Sequence, residues 1–372
     1  MAPPAWLLLY FASWALAYVL WRIFRPSRVR VSLFYLEFVV RENLEPSVAG
    51  GRLYRLASLL SVLVMVASSA AATAWLLEAT SSIILNWGRA PPTAVPPVPG
   101  VTLAADPAVL LSIAAALVVH EAAHAFFALR EGMPVESVTL FLLFTIPGAY
   151  VKLDDERLNS LSLLSRVKIF SAGVSANAAA AGAALLLSVL IFPGFPFATS
   201  AAMVVSTVDG GPSDGLIPDF TAIRAVNGTR ILSDRDLISV LSSAKPGDVV
   251  VLDTDAGELS IRLGVHPRDP DRGWMGVVLS GFGYFQPSVP LPNWAVYHIS
   301  KLMILLLLFM LSAGLINALP AYPLDAGRAL RDLLSSSLGE RTSWKVSLAL
   351  SVLIWGILIL NLAYSLFRLL LS

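Results

Sequence analysis

The 372-residue sequence contains no cysteine. Disulfides, thiolate nucleophiles and Cys-ligated metals are thereby excluded, and any metal must be held by His, Asp or Glu. Charge is scarce as well: 14% of residues are Asp, Glu, Lys or Arg, against about a quarter in ordinary soluble domains. A net charge of +1 provides no basic stripe to neutralise phosphates, so no nucleic-acid partner is expected. The first apolar run lacks a preceding positive segment and a following small-residue cleavage site. It reads as a retained transmembrane helix rather than a signal peptide.

Hydrocarbon is what the chain has in abundance. Hydrophobic residues make up 56% of it, with a mean hydropathy of +0.74, so the lipid bilayer is the expected solvent. Runs long enough to span it lie near residues 5–24, 56–87, 108–130, 161–192, 293–318 and 344–370. The second and fourth exceed the hydrocarbon thickness, which predicts tilt or extension beyond it. Short links rich in Lys and Arg alternate with a Pro-rich stretch, 89–107, that holds only Arg89. By the positive-inside rule the segments 25–55, 131–160 and 320–343 face the cytoplasm and both termini lie outside.

Residues 203–284 interrupt this pattern. Charges return, with an Asn227-Gly228 turn, a Pro246-Gly247-Asp248 turn, and alternating runs at 249–252 and 259–263. Residues 233–242 read as one short amphipathic helix. The expected fold is a membrane all-α protein of about six transmembrane helices with a small inserted α+β soluble domain on the extracytoplasmic side. The expected organisation is a first transmembrane helix and basic cytoplasmic loop (1–55), a second helix and Pro-rich outer linker (56–107), a central core of the third and fourth helices (108–192), the soluble domain (203–284), a returning part of that core (292–343) and a last helix (344–372).

One constellation carries chemistry: His120-Glu121-Ala122-Ala123-His124, inside the third span. Residues four apart share a helix face, so both imidazoles can reach one ion. Glu121, offset by one position, is suited to act as a base toward water. Chance alone would give this pattern in about one chain per hundred of this size, so its location matters more than its spacing. Ionisable groups in a span cost about 2.5–3.5 kcal/mol each on insertion scales. Three within five residues require a strong compensating partner, and Zn²⁺ is the simplest. A third ligand is needed, but positions 127 and 130 are Phe127 and Arg130. Glu131, Glu136 and Glu156 lie in a basic loop, His266 in the soluble insert and His298 at the outer end of the fifth span. Asp325, at the cytoplasmic end of that span, agrees in depth with the two histidines.

Together with Asn317, Pro320 and Leu324, these residues resemble the site-2 protease family of intramembrane zinc metalloproteases. That family pairs the His-Glu-x-x-His helix with a later Asn-x-x-Pro-x-x-x-Leu-Asp-Gly element. Here Ala326 stands where the family usually has Gly, and Gly327 follows. The resemblance implies zinc bound by His120, His124 and Asp325, with Glu121 as general base. The segment Ser171–Asn177 looks like the family's Gly-Pro-x-x-Asn, with Val174 in place of Pro, and implies that Asn177 holds the substrate backbone or the oxyanion; Asn317 of the later element is expected to bind substrate as well. Residues 147–153 resemble the family's membrane-associated loop, whose Ala149, Tyr150 and Val151 would bind an unwound substrate by strand addition. The insert resembles a protease-associated PDZ domain.

Plainer roles stand beside these. Asn177 would otherwise serve as interhelical glue, Asn317 as an orienter of the Asp325 loop, Asp325 as N-cap of a helix over 326–334, and 149–153 as an ordinary hairpin. The expected activity is cleavage of transmembrane proteins within or near their spans, the active site lying toward the cytoplasm. The competing reading is a divalent-metal carrier built on the same His/His/Asp cluster. A bare scaffold for the soluble domain ranks last, since it leaves the cluster unexplained.

Overall fold

The computed structural model describes residues 5–32, 34–47, 51–92, 106–144 and 146–371. In chain order the elements are α1 (Ala5–Phe24), β1 (Val29–Ser32), β2 (Tyr35–Leu44), α2 (Arg52–Leu85), α3 (Pro107–Arg130), β3 (Val135–Leu143), β4 (Ile146–Leu153), α4 (Asp155–Ser160) and α5 (Leu163–Ile191). Then follow β5 (Ala202–Thr207), β6 (Thr221–Val226), β7 (Thr229–Arg230), α6 (Asp234–Leu241), β8 (Val249–Thr254), β9 (Gly257–Arg262), β10 (Gly264–His266), β11 (Asp269–Trp274) and β12 (Val277–Leu279). The chain closes with α7 (Asn293–Asn317), α8 (Asp325–Leu338) and α9 (Glu340–Leu371). It divides into two compact units, 1–181 with 308–372, and 182–307.

Five helices, α2, α3, α5, α7 and α9, are long and apolar enough to cross a membrane. The first expected span, 5–24, coincides with helix α1, Ala5–Phe24, which includes the apolar stretch Phe11–Phe24. The 34 residues of α2 measure about 51 Å at 1.5 Å per residue, well beyond a core of about 30 Å. Its large side chains Leu53, Leu56, Leu63 and Val66 are exposed, the condition of a lipid-facing helix. The Pro-rich stretch 89–107 lies largely outside the described residues.

The first unit is not all-helical as expected. Segment 25–55, read as a loop, contributes β1 and β2 to a four-stranded antiparallel sheet in the order β1-β2-β3-β4. Two distant chain segments build it: strand character was expected for Ala149–Leu153, which lies in β4, whereas β1 and β2 were not expected. In β3 and β4, Val138 pairs with Val151 and Leu140 with Ala149. Gly148 admits the Phe141 ring against its backbone, where a Cβ would collide with it. Met65, Ala125, Ala128, Met133, Val135 of β3, Leu158, Val167, Ile169, Phe170, Val174, Ala318, Ala326 and Ala329 form one buried core. Burying such side chains contributes about 25 cal/mol per Å² of apolar surface. Polar ties fix the helices that surround it. Ser61 and Ser171 hydroxyls meet at 2.8 Å, and Arg166 pairs with Asp332 at 2.9 Å. Glu131 accepts from Tyr54 at 2.7 Å and Lys168 at 3.1 Å.

The second unit holds a sheet in the order β12-β5-β6-β8-β9, with β7 paired to β6, and a separate β10-β11 ribbon. Val226 pairs with Thr229 across Asn227 and Gly228, both with positive φ of 47° and 77°, the primed two-residue turn that Asn-Gly favours. Ser233 caps α6 by accepting from Asp236 N–H. The Asp234 carboxylate, buried, accepts from the backbone N–H groups of Met203, Gly281 and Gly283 and from the Ser280 hydroxyl.

Candidate metal centre

α3 begins on a capped first turn: Asp106 accepts from Ala108 N–H at 2.7 Å, and Pro107 occupies the first helical position. From there the helix carries His120 and His124, both buried, on one face. α8 starts at Asp325 itself, with Leu324 as N-cap. Asp325 is therefore the first helical residue rather than a cap, and its carboxylate is free to reach sideways.

These three side chains converge. His120 Nε2 and His124 Nε2 lie 3.1 Å apart, and Asp325 Oδ2 lies 3.0 Å from the first and 3.2 Å from the second. Donors around a tetrahedral ion at about 2.0–2.1 Å stand roughly 3.3 Å from one another, so the triangle is close to that required. Asp325 Oδ2 is buried and, despite this proximity, lacks a partner in hydrogen-bond geometry. His124 Nδ1 faces the Ile169 carbonyl at 2.8 Å. A proton on Nδ1 satisfies that carbonyl and leaves the Nε2 lone pair pointing into the triangle. Gly173 on α5 keeps the space beside the rings open: a Cβ there would stand 2.6 Å from His124 Nε2. Converging lone pairs, an unpartnered carboxylate oxygen and a cradle that any side chain would fill together fit a divalent cation.

Glu121 is half-buried, and its Oε2 accepts from the backbone N–H of Val151 on β4 at 3.0 Å. Asn177, wholly buried, places Nδ2 3.3 Å from His120 Nδ1, while its Oδ1 has no partner. Tyr150 donates from its hydroxyl to Glu37 at 2.8 Å, so its side chain is committed within the sheet. Burial and the Glu37 carboxylate push that hydroxyl above its ordinary pKa, keeping it a neutral donor. Asn317 donates to the Ala313 carbonyl of its own helix at 3.1 Å and is not brought into the triangle. Glu131 is taken by Tyr54 and Lys168, and Glu136 by Lys152 at 2.6 Å. His266 and His298 belong to the second unit and enter no such cluster among the described residues.

The description of peptidase family M50 matches residues 108–360, more than half of the chain and inclusive of all three converging residues. The chain belongs to peptidase family M50. A membrane-bound transcription factor site-2 protease homolog of Arabidopsis thaliana is 29% identical over 127 residues, 33% of this chain and 25% of that relative. The matched stretch thus spans a quarter of the relative's length. Among solved structures, the PDZ domain of an SdrC-like protein from Listeria monocytogenes is 21% identical, covering 22% of this chain and 87% of that one, with a TM-score of 0.20.

This M50 chain carries its three converging donors on a scaffold with, among the described residues, five helices long and apolar enough to cross a membrane. Three features of its centre could not be read as such from the sequence: the Ile169 carbonyl, the Val151 N–H and the clearance at Gly173, although Gly173 stands in the Ser171–Asn177 motif. The first two belong to the backbone, which every residue has. Gly173 is visible in the sequence, but its purpose emerges only when α5 packs against α3.

Proposed function

We propose that this chain is a membrane-embedded zinc metalloendopeptidase that cleaves other membrane proteins within or near their transmembrane segments. One observation carries the reading: three metal-type donors from α3 and α8 converge within about 3 Å, on a helix that also bears Glu121. His120, His124 and Asp325 would hold the ion, which when bound supplies Lewis acidity toward water and the scissile carbonyl. Two imidazoles and a carboxylate suit Zn²⁺ among the divalent ions. Glu121 takes the proton of the attacking water and returns it to the leaving amine.

Asn177 acts on His120. If His120 lends Nε2 to an ion, its proton sits on Nδ1, and the Asn177 amide must then face it with oxygen rather than nitrogen. Turning the amide gives Oδ1 the partner it lacks and leaves Nδ2 as a donor suited to a substrate carbonyl. Asn317 steadies the turn that leads to Asp325. Ala149, Tyr150 and Val151, on the last strand of the sheet, receive an unwound substrate segment as an added strand. A helical span hides its carbonyls in its own hydrogen bonds, so substrates should carry Gly or Pro near the cut. The active site faces the cytoplasm. The segment 203–284 is a PDZ-like domain on the opposite side that restricts substrates by size or grips a trimmed C-terminus. Deletion of that domain should widen substrate choice, and unchanged choice would contradict this role.

Purified protein should contain about one zinc per chain and cleave a test span destabilised by Gly and Pro. Asp325→Ala should lose the metal, whereas Glu121→Gln should keep the metal and lose turnover. A metal carrier would instead transport ions in vesicles, with Glu121→Gln still active.

A further inference from the structure

Backbone N–H groups along an antiparallel strand point alternately toward the partner strand and away from it. Val151 gives its N–H to Glu121, so that group points away from β3. Ala149 sits two residues earlier in the same continuous register, opposite Leu140 as Val151 is opposite Val138, and its N–H points outward too. β4 ends its sheet, so both are among the outward donors open to an added strand. One N–H makes one good hydrogen bond. A strand that pairs with Val151 must therefore displace the Glu121 carboxylate.

We propose that Val151 is a positioning residue whose N–H holds Glu121 on β4 until an extended substrate takes that N–H and releases the base for reaction. The idea rests on the reading of β4 as the substrate edge. The exchange swaps one hydrogen bond for another, so it opposes binding only modestly. The displaced carboxylate, half-buried on an apolar helix, must find another donor, and the attacking water is the one the reaction provides. A passing helix whose N–H and C=O groups are bonded internally has nothing to offer Val151, so it leaves the base engaged. Release of Glu121 thus discriminates unwound segments from intact spans.

Peptide binding to the full-length chain in detergent, stripped of metal by a chelator, tests this without turnover. The probe is a fluorescein-labelled, C-terminally amidated peptide of alternating Val and Thr with Lys ends, the amide preventing capture by a carboxylate-reading groove. Proline at 149 or 151 removes an outward N–H and costs no bond to β3. Glu121→Ala should bind about three- to tenfold tighter than wild type, the value of one net hydrogen bond. That gain should disappear in the Val151→Pro background, and Ala149→Pro should weaken binding by a similar factor. A gain that persists with Val151→Pro would trace to lost charge and overturn the proposal. No gain, with binding still weakened by Ala149→Pro, would overturn it while leaving β4 as the docking edge. An Ala149→Pro variant that binds like wild type would remove the docking edge and the release mechanism together. Should a proline variant not fold, hydrogen exchange decides: the Val151 amide must be protected in wild type and become unprotected in Glu121→Ala until peptide is added. Persistent protection in Glu121→Ala would overturn the release.

Discussion

Gly173 lies directly against His120: a Cβ at that position would stand 2.5 Å from the ring Nε2. Alanine favours helices more than glycine does, so Gly173→Ala should leave α5 formed and the protein in the membrane. It should nonetheless displace both imidazoles and lower zinc affinity by about a hundredfold or more, at least the upper range for disturbed supporting residues. Metal content of the purified variant by atomic emission decides; full occupancy would show that the rings tolerate the extra carbon.

For Asn177, the decisive comparison is between Ala and Asp. Either carboxylate oxygen can accept from His120 Nδ1–H, so Asn177→Asp should keep most of the zinc. Asn177→Ala should lose about ten- to a hundredfold in affinity, as expected when the partner of a ligating histidine is removed. Competition with a chromophoric chelator measures both. Equal affinities in the two variants would assign Asn177 to helix packing alone.

Replacing Glu121 with Gln keeps shape and hydrogen bonding but removes the base. Turnover of a destabilised test span should fall by about a hundred- to ten-thousandfold with zinc content unchanged. Coincident loss of metal would make Glu121 a ligand and not the base.

Glu131 supplies a pH-dependent anchor at the end of α3. Burial raises its carboxyl pKa, but hydrogen bonds from Tyr54, Ser165 and Lys168 outweigh this and hold it below the ordinary value. A depressed native pKa stabilises above the unfolded value and is lost as pH falls through the native one. Thermal stability of wild type should therefore exceed that of Glu131→Gln near neutrality, the gap narrowing as pH drops below about 4.5. Melting curves in detergent from neutral to acid pH test this; a gap that stays constant would mean the carboxylate charge does not stabilise the fold.

Much of the architecture was legible because lipid imposes simple rules. Long apolar runs could only be helices, and α2, α3, α5, α7 and α9 follow them closely. The hairpin at Asn227-Gly228 and the helix after Ser233 were equally readable, since each depends on local backbone chemistry. Strands β1 and β2 were not, because β2 joins the sheet through β3, about a hundred residues away, and mixes charged with apolar positions. At the centre, spacing alone put His120 and His124 on one face. Asp325 followed from elimination and matching depth, and the resemblance added its role, because nothing local distinguishes a ligand from a helix-starting carboxylate. Asn317 illustrates the opposite case, a motif residue whose side chain turns back onto its own helix.

Gly327 packs so tightly on the preceding turn that a Cβ there would overlap the Ala321 carbonyl. Ala326, one position earlier, already carries a methyl group and is accommodated in the core. The demand for smallness in this element has therefore settled on 327, two residues past the donor. A single carbon added there would tilt the start of α8 and swing the Asp325 carboxylate off the imidazoles. The reach of one half of the chain to the other is thus set by clearance against a peptide group that touches no ion.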